Sequence, residues 1–171
     1  NAYSNYRHIK NTYRKDLVTL EQSLLSGEGI QDTSIFSSFA FRGTYSSSLP
    51  LRKLNFQAGY DLYLESGSGG KIANGVQHIN DYAAFGSVEY QPWERLFFRP
   101  GLRVSYNTRY GAPVTPSLNV KYDLTENYSL RASYARGFRA PSLKELDLYF
   151  VDVNHNILGN DSLKAEHSDN Y

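Results

Sequence analysis

The sequence predicts an all-β protein: a segment of an antiparallel transmembrane β-barrel with long extracellular loops. Apolar and polar residues alternate in several runs, which reach the length of about 9–11 residues that a tilted strand needs to cross a bilayer. Tyrosines stand near the ends of the apolar stripes, where membrane interfaces favour amphipathic rings. Short and long connections alternate, as periplasmic turns and extracellular loops do in such barrels.

The composition agrees with a barrel. The 171 residues include 15 Tyr and 9 Phe but no Cys and no Met, and the mean hydropathy is −0.52. No run approaches the roughly 18 apolar residues of a membrane helix, whereas barrel strands average out as polar. The net charge of +1 gives no argument for nucleic acid as a partner. Because the chain starts at Asn1 without a signal peptide and stops at Tyr171, we expect an excised internal fragment.

Strands are predicted along the whole chain. The clearest lies at residues 54–64, where Leu54, Phe56 and Tyr60 share one face and Asn55 and Gln57 share the other. The remaining predicted strands cover residues 2–13, 35–45 (a noisier run), 81–90, 96–107, 116–123 and 128–135. With a last strand after the final loop, the sequence predicts about eight strands of a larger barrel.

Basic residues support the assignment of the two faces. Arg99, Arg103, Lys121 and Arg131 all fall on the polar side of their strands. On the lipid face at the bilayer midplane, each would cost about 2–4 kcal/mol. A soluble β-sandwich also alternates, but it has no reason to place tyrosines at the ends of apolar stripes. The membrane barrel is therefore the preferred interpretation.

Two of the connections have helical features. The short connections lie near residues 46–52, 91–94 and 123–127, and the long ones near 17–33, 66–80, 108–114 and 137–165. Within the first long connection, Leu17, Leu20 and Leu24 have helical spacing, although a strand that extends beyond the membrane fits equally well. In the last, Ser142 and Glu145 have the spacing of a capping box, which predicts a short helix.

Residues 128–171 resemble the TonB-dependent receptor family. One match is a strand that ends at the barrel rim in the box Phe138, Arg139, Ala140 and Pro141. Residues 159–168 are similar to the family's Asn-Pro-x-Leu-Lys-Pro-Glu-x-Ser segment through Asn160 and Leu163, but Asp161 and Ala165 replace its prolines. Residues 90–96, 100–103 and 116–122 are also similar to the family, whereas the first eighty residues match only in their succession of strands and loops.

The resemblance implies a barrel of about 22 strands that is plugged by an N-terminal domain. Residues 1–171 would be a partial TonB-dependent receptor β-barrel domain without the plug. The implied function is active uptake, across the bacterial outer membrane, of a scarce nutrient such as haem, a ferric siderophore or cobalamin. The implied partners are outer-membrane lipid, the small metal complex, and the TonB energy-transducing complex acting through the plug.

The resemblance implies no permanently bound cofactor; haem or another iron or cobalt complex would be cargo. We do not expect the protein to be an enzyme, because the sequence has no Gly-x-Ser-x-Gly motif, no Walker sequence and no Cys. The alternative function is that of a passive porin or an adhesin-type barrel with a structural or binding role.

Candidate ligand contacts lie near the rim. His155 stands between the two family motifs, and a neutral imidazole suits haem iron, although a polar loop histidine without a metal is the alternative. Arg136 and Arg139 suit an anionic group, or else an ion pair with a nearby acid, Glu145 or Asp147. Tyr149 is expected either to contact a hydrophobic ligand or to pack under the loop. For His8 and His167 in strands and His78 in a loop, we expect structural or solvated roles.

Overall fold

A computed structural model describes residues 2–25, 31–49, 54–73, 75–151 and 156–171. In chain order the elements are β1 (Ala2–Lys10), β2 (Tyr13–Lys15), β3 (Gln22–Leu24), β4 (Asp32–Leu49), β5 (Leu54–Ser68), β6 (Gln77–Trp93), β7 (Leu96–Asn107), β8 (Thr115–Asp123), β9 (Ser129–Arg139), α1 (Leu143–Asp147), β10 (Tyr149–Val151), β11 (Asn156–Leu158) and β12 (Glu166–Asn170). Eight of these strands join in one sheet in the order β1-β4-β5-β6-β7-β8-β9-β12. Every pairing in that sheet is antiparallel, so the predicted fold class is confirmed.

Side chains alternate between the two faces of the sheet because successive residues of a strand point in opposite directions. The register then collects charged groups on one side, which we call the inner face, and it carries Arg42, Asp61, Arg103, Lys121 and Arg131. The opposite side, the outer face, carries Tyr60, Tyr82, Tyr106, Tyr122 and Tyr134. This is the division of charge and aromatic residues that the alternation predicts for a barrel wall.

An ionic cluster on the inner face joins three strands. The Asp61 carboxylate on β5 pairs with Arg42 on β4, and its Oδ2 lies 3.4 Å from Nη2 of Arg103 on β7. Arg103 stands opposite Phe85 of β6 and reaches Asp61 diagonally past Ala83, whose side chain is small and only 7% exposed. A larger residue at this position would stand between the two charges.

The long and short connections lie at opposite ends of the sheet. At one end β6 and β7 are separated by two residues, Glu94 and Arg95, and β8 and β9 by residues 124–128. At the other end, which we call the loop end, the connections span residues 11–31, 69–76, 108–114 and 140–165. β4, β5 and β6 measure 18, 15 and 17 residues, so they are longer than the about 9–11 residues that cross a bilayer.

The first long connection differs from its prediction. β1 ends at Lys10, earlier than predicted, and β2 and β3 form a separate hairpin in which Tyr13 faces Leu24. The helical alternative for residues 16–26 is wrong for the described part. Asp16 accepts hydrogen bonds from the backbone N–H groups of Val18 and Thr19, and such local bonds compete with a helix.

Two further predictions concern residues near the loop end. His78 lies in β6 rather than in a loop, because that strand begins at Gln77. The short helix after Ser142 is confirmed as α1. None of the helices in the described ranges has the length and apolar character needed to cross a membrane.

Candidate functional site

The connection between β9 and β12 folds back over the inner face of the sheet. Leu143 and Leu146 of α1 are 1% and 2% exposed. They form a buried cluster with residues from β4, from the connection after β5 and from β6, namely Phe36, Ile72 and Ile79. The apolar side of α1 therefore packs against the wall at the loop end, and burial of this kind stabilises the folded connection by about 25 cal/mol per Å² of apolar surface.

A capping box fixes the start of α1. The Glu145 N–H donates to Ser142 Oγ, and the Ser142 N–H donates to Glu145 Oε2 at 2.8 Å. The Arg139 guanidinium pairs with Glu145 and also, at 3.1 Å, with Glu166 at the start of β12. The Ser142 N–H, followed by Arg139, lowers the pKa of the Glu145 carboxyl group to about 2. The ion pair that the sequence offered as an alternative for Arg139 is thus present.

The second family motif meets both the box and α1, and in the register of β9 and β12 Glu166 stands opposite Arg139 and His167 opposite Phe138. The Gly159 N–H donates to Leu148 O at 2.6 Å, and the Asn160 N–H donates to Glu145 O at 2.9 Å. A Cβ at Gly159 would stand 2.5 Å from Leu146 O, so the backbone approach requires glycine here. The segment after β11 therefore packs against the C-terminal end of α1.

Three long connections are joined around Asp147. This side chain is 1% exposed, and its Oδ2 lies 2.8 Å from Nη1 of Arg109 in the connection after β7. From the connection after β5, the Ala73 N–H donates to Asp147 O at 2.8 Å. Tyr110, also in the connection after β7, donates its hydroxyl to Leu163 O at 2.9 Å. These three connections are consequently bonded to one another, and Asp147 pairs with Arg109 rather than with either arginine considered from the sequence.

A cavity of about 400 Å³ opens at the loop end. We call it the lysine cavity, and the residues that give it its chemical character are His8, Lys10, Asp32, Lys71, Tyr149 and Phe150. Lys71 Nζ lies 3.3 Å from the centroid of the Phe150 ring, and the His8 ring lies 5.7 Å from the same ring. A ligand in this cavity would meet cationic and aromatic groups together.

A second, larger cavity of about 540 Å³ lies on the inner face at β7, β8 and β9. Arg99, Lys121 and Arg131 line it together with Glu89. Lys121 Nζ is 2.8 Å from Asp123 Oδ1, which neutralises part of this positive charge. This basic surface faces the space that the barrel wall encloses.

The candidate residues from the sequence fall in different places. Tyr149 is exposed and lines the lysine cavity, whereas Arg139 is tied to α1 and β12. Arg136 lies on the outer face, opposite Asp169, whose Oδ1 accepts a hydrogen bond from Tyr134. His155 lies outside the described residues, so its proposed contact with haem iron stays a prediction.

The sequence did not single out the lysines of the cavity. Alternation along β1 predicts that His8 and Lys10 share a face, but Lys71 and Tyr149 come from distant connections that carry no pairing signal. Within the described ranges, no group of three or more His, Cys, Asp or Glu side chains is placed to bind a metal ion.

Curated receptors are similar to part of this chain. The "Ferric enterobactin receptor" of Pseudomonas aeruginosa is 35% identical over an alignment of 95 residues that covers 49% of this chain and 12% of that protein. The "Ferrienterobactin receptor" of Escherichia coli is 30% identical over an alignment of 100 residues that covers 52% of this chain and 13% of that protein. The matched segments are therefore about an eighth of those relatives.

Solved structures show the same fold. The siderophore receptor PirA from Pseudomonas aeruginosa superposes with a TM-score of 0.69 at 21% identity, covering 81% of this chain and 28% of that one. A mutant of the ferric enterobactin receptor PfeA from Pseudomonas aeruginosa, in complex with enterobactin, gives a TM-score of 0.60 at 16% identity over 98% of this chain and 28% of that one. At these identities the likeness concerns the fold alone.

The family model described as "TonB dependent receptor-like, beta-barrel" matches residues 1–171. That match agrees with the eight-stranded antiparallel wall and with the pairing of the two motifs between β9 and β12. Because the match spans the whole sequence, the chain belongs to the TonB-dependent receptor-like β-barrel family of the bacterial outer membrane.

Proposed function

We propose that this chain forms part of the barrel wall, and one substrate-facing loop, of a receptor that takes up a ferric siderophore of the enterobactin type. The names of both curated relatives support this choice of cargo over haem or cobalamin. The structural observation that carries the proposal is the connection between β9 and β12, which folds inward and leaves Tyr149 beside Lys71 at the loop end. Groups in that position meet a molecule that enters from outside the cell.

The wall has features that suit a partner inside the barrel. The cavity lined by Arg99, Lys121 and Arg131 presents positive charge toward the enclosed space. We propose that residues 1–171 are a partial barrel domain and that this surface faces a plug domain, which the TonB complex moves to release the cargo. Transport is proposed in place of catalysis, and also in place of a passive porin or adhesin, because the relatives are named as receptors for a ferric ligand.

The candidate residues receive different proposed roles. Tyr149 contacts the ligand, because it is exposed within the lysine cavity. Arg139 positions the loop through its pairs with Glu145 and Glu166. A ligand contact at Arg136 stays a prediction, to which its place on the outer face lends no support.

A titration of the intact receptor tests the choice of cargo. The purified protein in detergent is titrated separately with ferric enterobactin, haem and cobalamin, and binding is followed by intrinsic fluorescence. We expect saturable binding of ferric enterobactin only. If haem binds with a shifted absorption band that is lost in His155→Ala, while ferric enterobactin does not bind, the receptor serves haem and the proposal is wrong.

A further inference from the structure

We infer that the lysine cavity is an anion subsite and that Lys71 determines the specificity of the receptor for a negatively charged ligand. This inference rests on the proposed uptake of a ferric siderophore and deepens it. It assigns recognition of ligand charge to a residue in the connection after β5.

The backbone of Lys71 is fixed from two sides. Its N–H donates to Ser34 Oγ at 2.9 Å, which ties it to the start of β4. Its carbonyl oxygen accepts from the Tyr149 N–H at 2.8 Å, which ties it to the connection after α1. The side chain therefore starts from a defined point on the cavity wall, and less conformational entropy is lost when a ligand binds.

The ammonium group of Lys71 rests on an aromatic ring. Its Nζ lies 3.3 Å from the centroid of Phe150, a cation–π contact. A ring face attracts the charge without neutralising it. The three N–H donors of the ammonium group can therefore also serve anionic oxygens.

The acidic residue named for this cavity, Asp32, accepts hydrogen bonds from neighbouring groups. Asp32 accepts a hydrogen bond from the Gly70 N–H at 2.9 Å and another from Ser34 Oγ at 2.9 Å. Among the ion pairs that the described residues form, none involves Lys10 or Lys71. The cavity thus keeps a positive charge that Asp32 does not neutralise through a direct pair.

Further groups on β1 extend the subsite. Lys10 stands opposite Asp32 in the register, and His8, two residues away on the same face, places its ring 5.7 Å from Phe150. The volume of about 400 Å³ lies within the range of about 300–1,000 Å³ that is usual for small-molecule sites. Two ammonium groups, an imidazole and a tyrosine suit a compact ligand whose surface carries anionic oxygens.

Three variants of the intact receptor test this inference. Lys71→Gln removes the charge but leaves the backbone hydrogen bonds of the residue, and Lys71→Arg keeps the charge. As a control, Lys164→Gln removes an equal charge from an exposed site in the connection between β9 and β12. The dissociation constant for ferric enterobactin is measured at low and at high salt for each protein. Thermal unfolding of each variant verifies that it is folded.

We expect Lys71→Gln to weaken binding by about tenfold or more at low salt, since a hydrogen bond to a charged group is lost. Its affinity should also depend less on salt than that of the wild type, because fewer charges remain to be screened. The dissociation constants of Lys71→Arg and Lys164→Gln should lie within about twofold of the wild-type value, because the first variant keeps the charge and the second changes a residue outside the lysine cavity.

The outcomes separate the inference from the proposed function. If the wild type binds ferric enterobactin and Lys71→Gln behaves like Lys164→Gln in affinity and in salt dependence, the anion subsite is wrong while the proposed cargo stands. If the wild type binds no ferric enterobactin, the proposed cargo and the subsite fail together.

Discussion

Glu145 joins the end of β9, the first turn of α1 and the segment that leads to β12. Its carboxylate accepts a hydrogen bond from the Ser142 N–H and forms an ion pair with Arg139, and its backbone carbonyl oxygen accepts a hydrogen bond from the Asn160 N–H. The carboxylate form is required for the ion pair, whereas a neutral amide at this position still completes a capping box. The charge and the cap therefore contribute separately.

This arrangement makes the loop sensitive to acid. The folded protein lowers the pKa of Glu145 from the ordinary value of 4.5 to about 2. A lowered pKa stabilises the folded loop fully above the unfolded value and progressively less as the pH falls through the folded value. The Leu146 N–H donates to Ser142 O within this loop. As the pH falls from about 4.5 to about 2, we expect this N–H to exchange with solvent increasingly faster in the wild type than in the Glu145→Gln variant.

Hydrogen exchange measured by mass spectrometry on the intact receptor provides the readout. Glu145→Gln is the matched control, because it keeps the cap but has no carboxyl group to titrate. Equal pH dependence of the α1 amides in the two proteins would show that Glu145 does not stabilise the loop through its charge.

At the scale of elements, the loop end depends on the contact between α1 and the segment after β11. We expect Gly159→Ala to destabilise this contact, because the new Cβ would lie 2.5 Å from Leu146 O and 2.8 Å from Leu148 N. These are backbone atoms, which cannot move aside as the end of a flexible side chain can. Faster hydrogen exchange in α1, with unchanged exchange in β5 and β6, is the expected result.

Gly111→Ala is the control for this change, since a Cβ at Gly111 would meet no atom within 4 Å. It should leave exchange in α1 unchanged. Identical protection of α1 in both variants would contradict the close packing of Gly159 against the helix.

The elements were predicted where their signals are local. Alternation in residues 54–64 and 96–107 identified β5 and β7, although β5 continues to Ser68, beyond the apolar stripe. The capping spacing of Ser142 and Glu145 identified α1. The helix that the leucine spacing after Asp16 offered as an alternative does not form in the described residues, because Asp16 accepts hydrogen bonds from the N–H groups of Val18 and Thr19 and these bonds stabilise a turn.

The site was less predictable than the strands. Tyr149 was predicted to contact a hydrophobic ligand or to pack under the loop, but its cavity partners on β1 and in the connection after β5 were not predicted. No pattern in the sequence shows that Lys71 approaches Phe150, since 78 positions separate them and only the folded loop joins them. The same role was predicted for Arg136 and Arg139, although alternation along the strand places them on opposite faces. Arg139 faces the loop, and Arg136 lies opposite Asp169 on the outer face.

At the scale of the whole molecule, the chain is a section of outer-membrane wall whose two faces carry different chemistry. The inner face holds the cluster of Arg42, Asp61 and Arg103, and the outer face holds tyrosines, which membrane interfaces favour. The bonded connections around Asp147 add a rim to the loop end of this wall. A wall and a rim of this kind suit a receptor that binds its cargo outside before an energised step moves it inward.

Uptake of radiolabelled ferric enterobactin by cells that produce the intact receptor tests the central proposal most directly. The receptor should accumulate iron in energised cells, and accumulation should stop when the proton-motive force is collapsed or the TonB complex is removed. A passive barrel would pass the complex regardless of energy. Energy-independent entry, or no entry in cells whose outer membranes contain the folded receptor, would contradict the account.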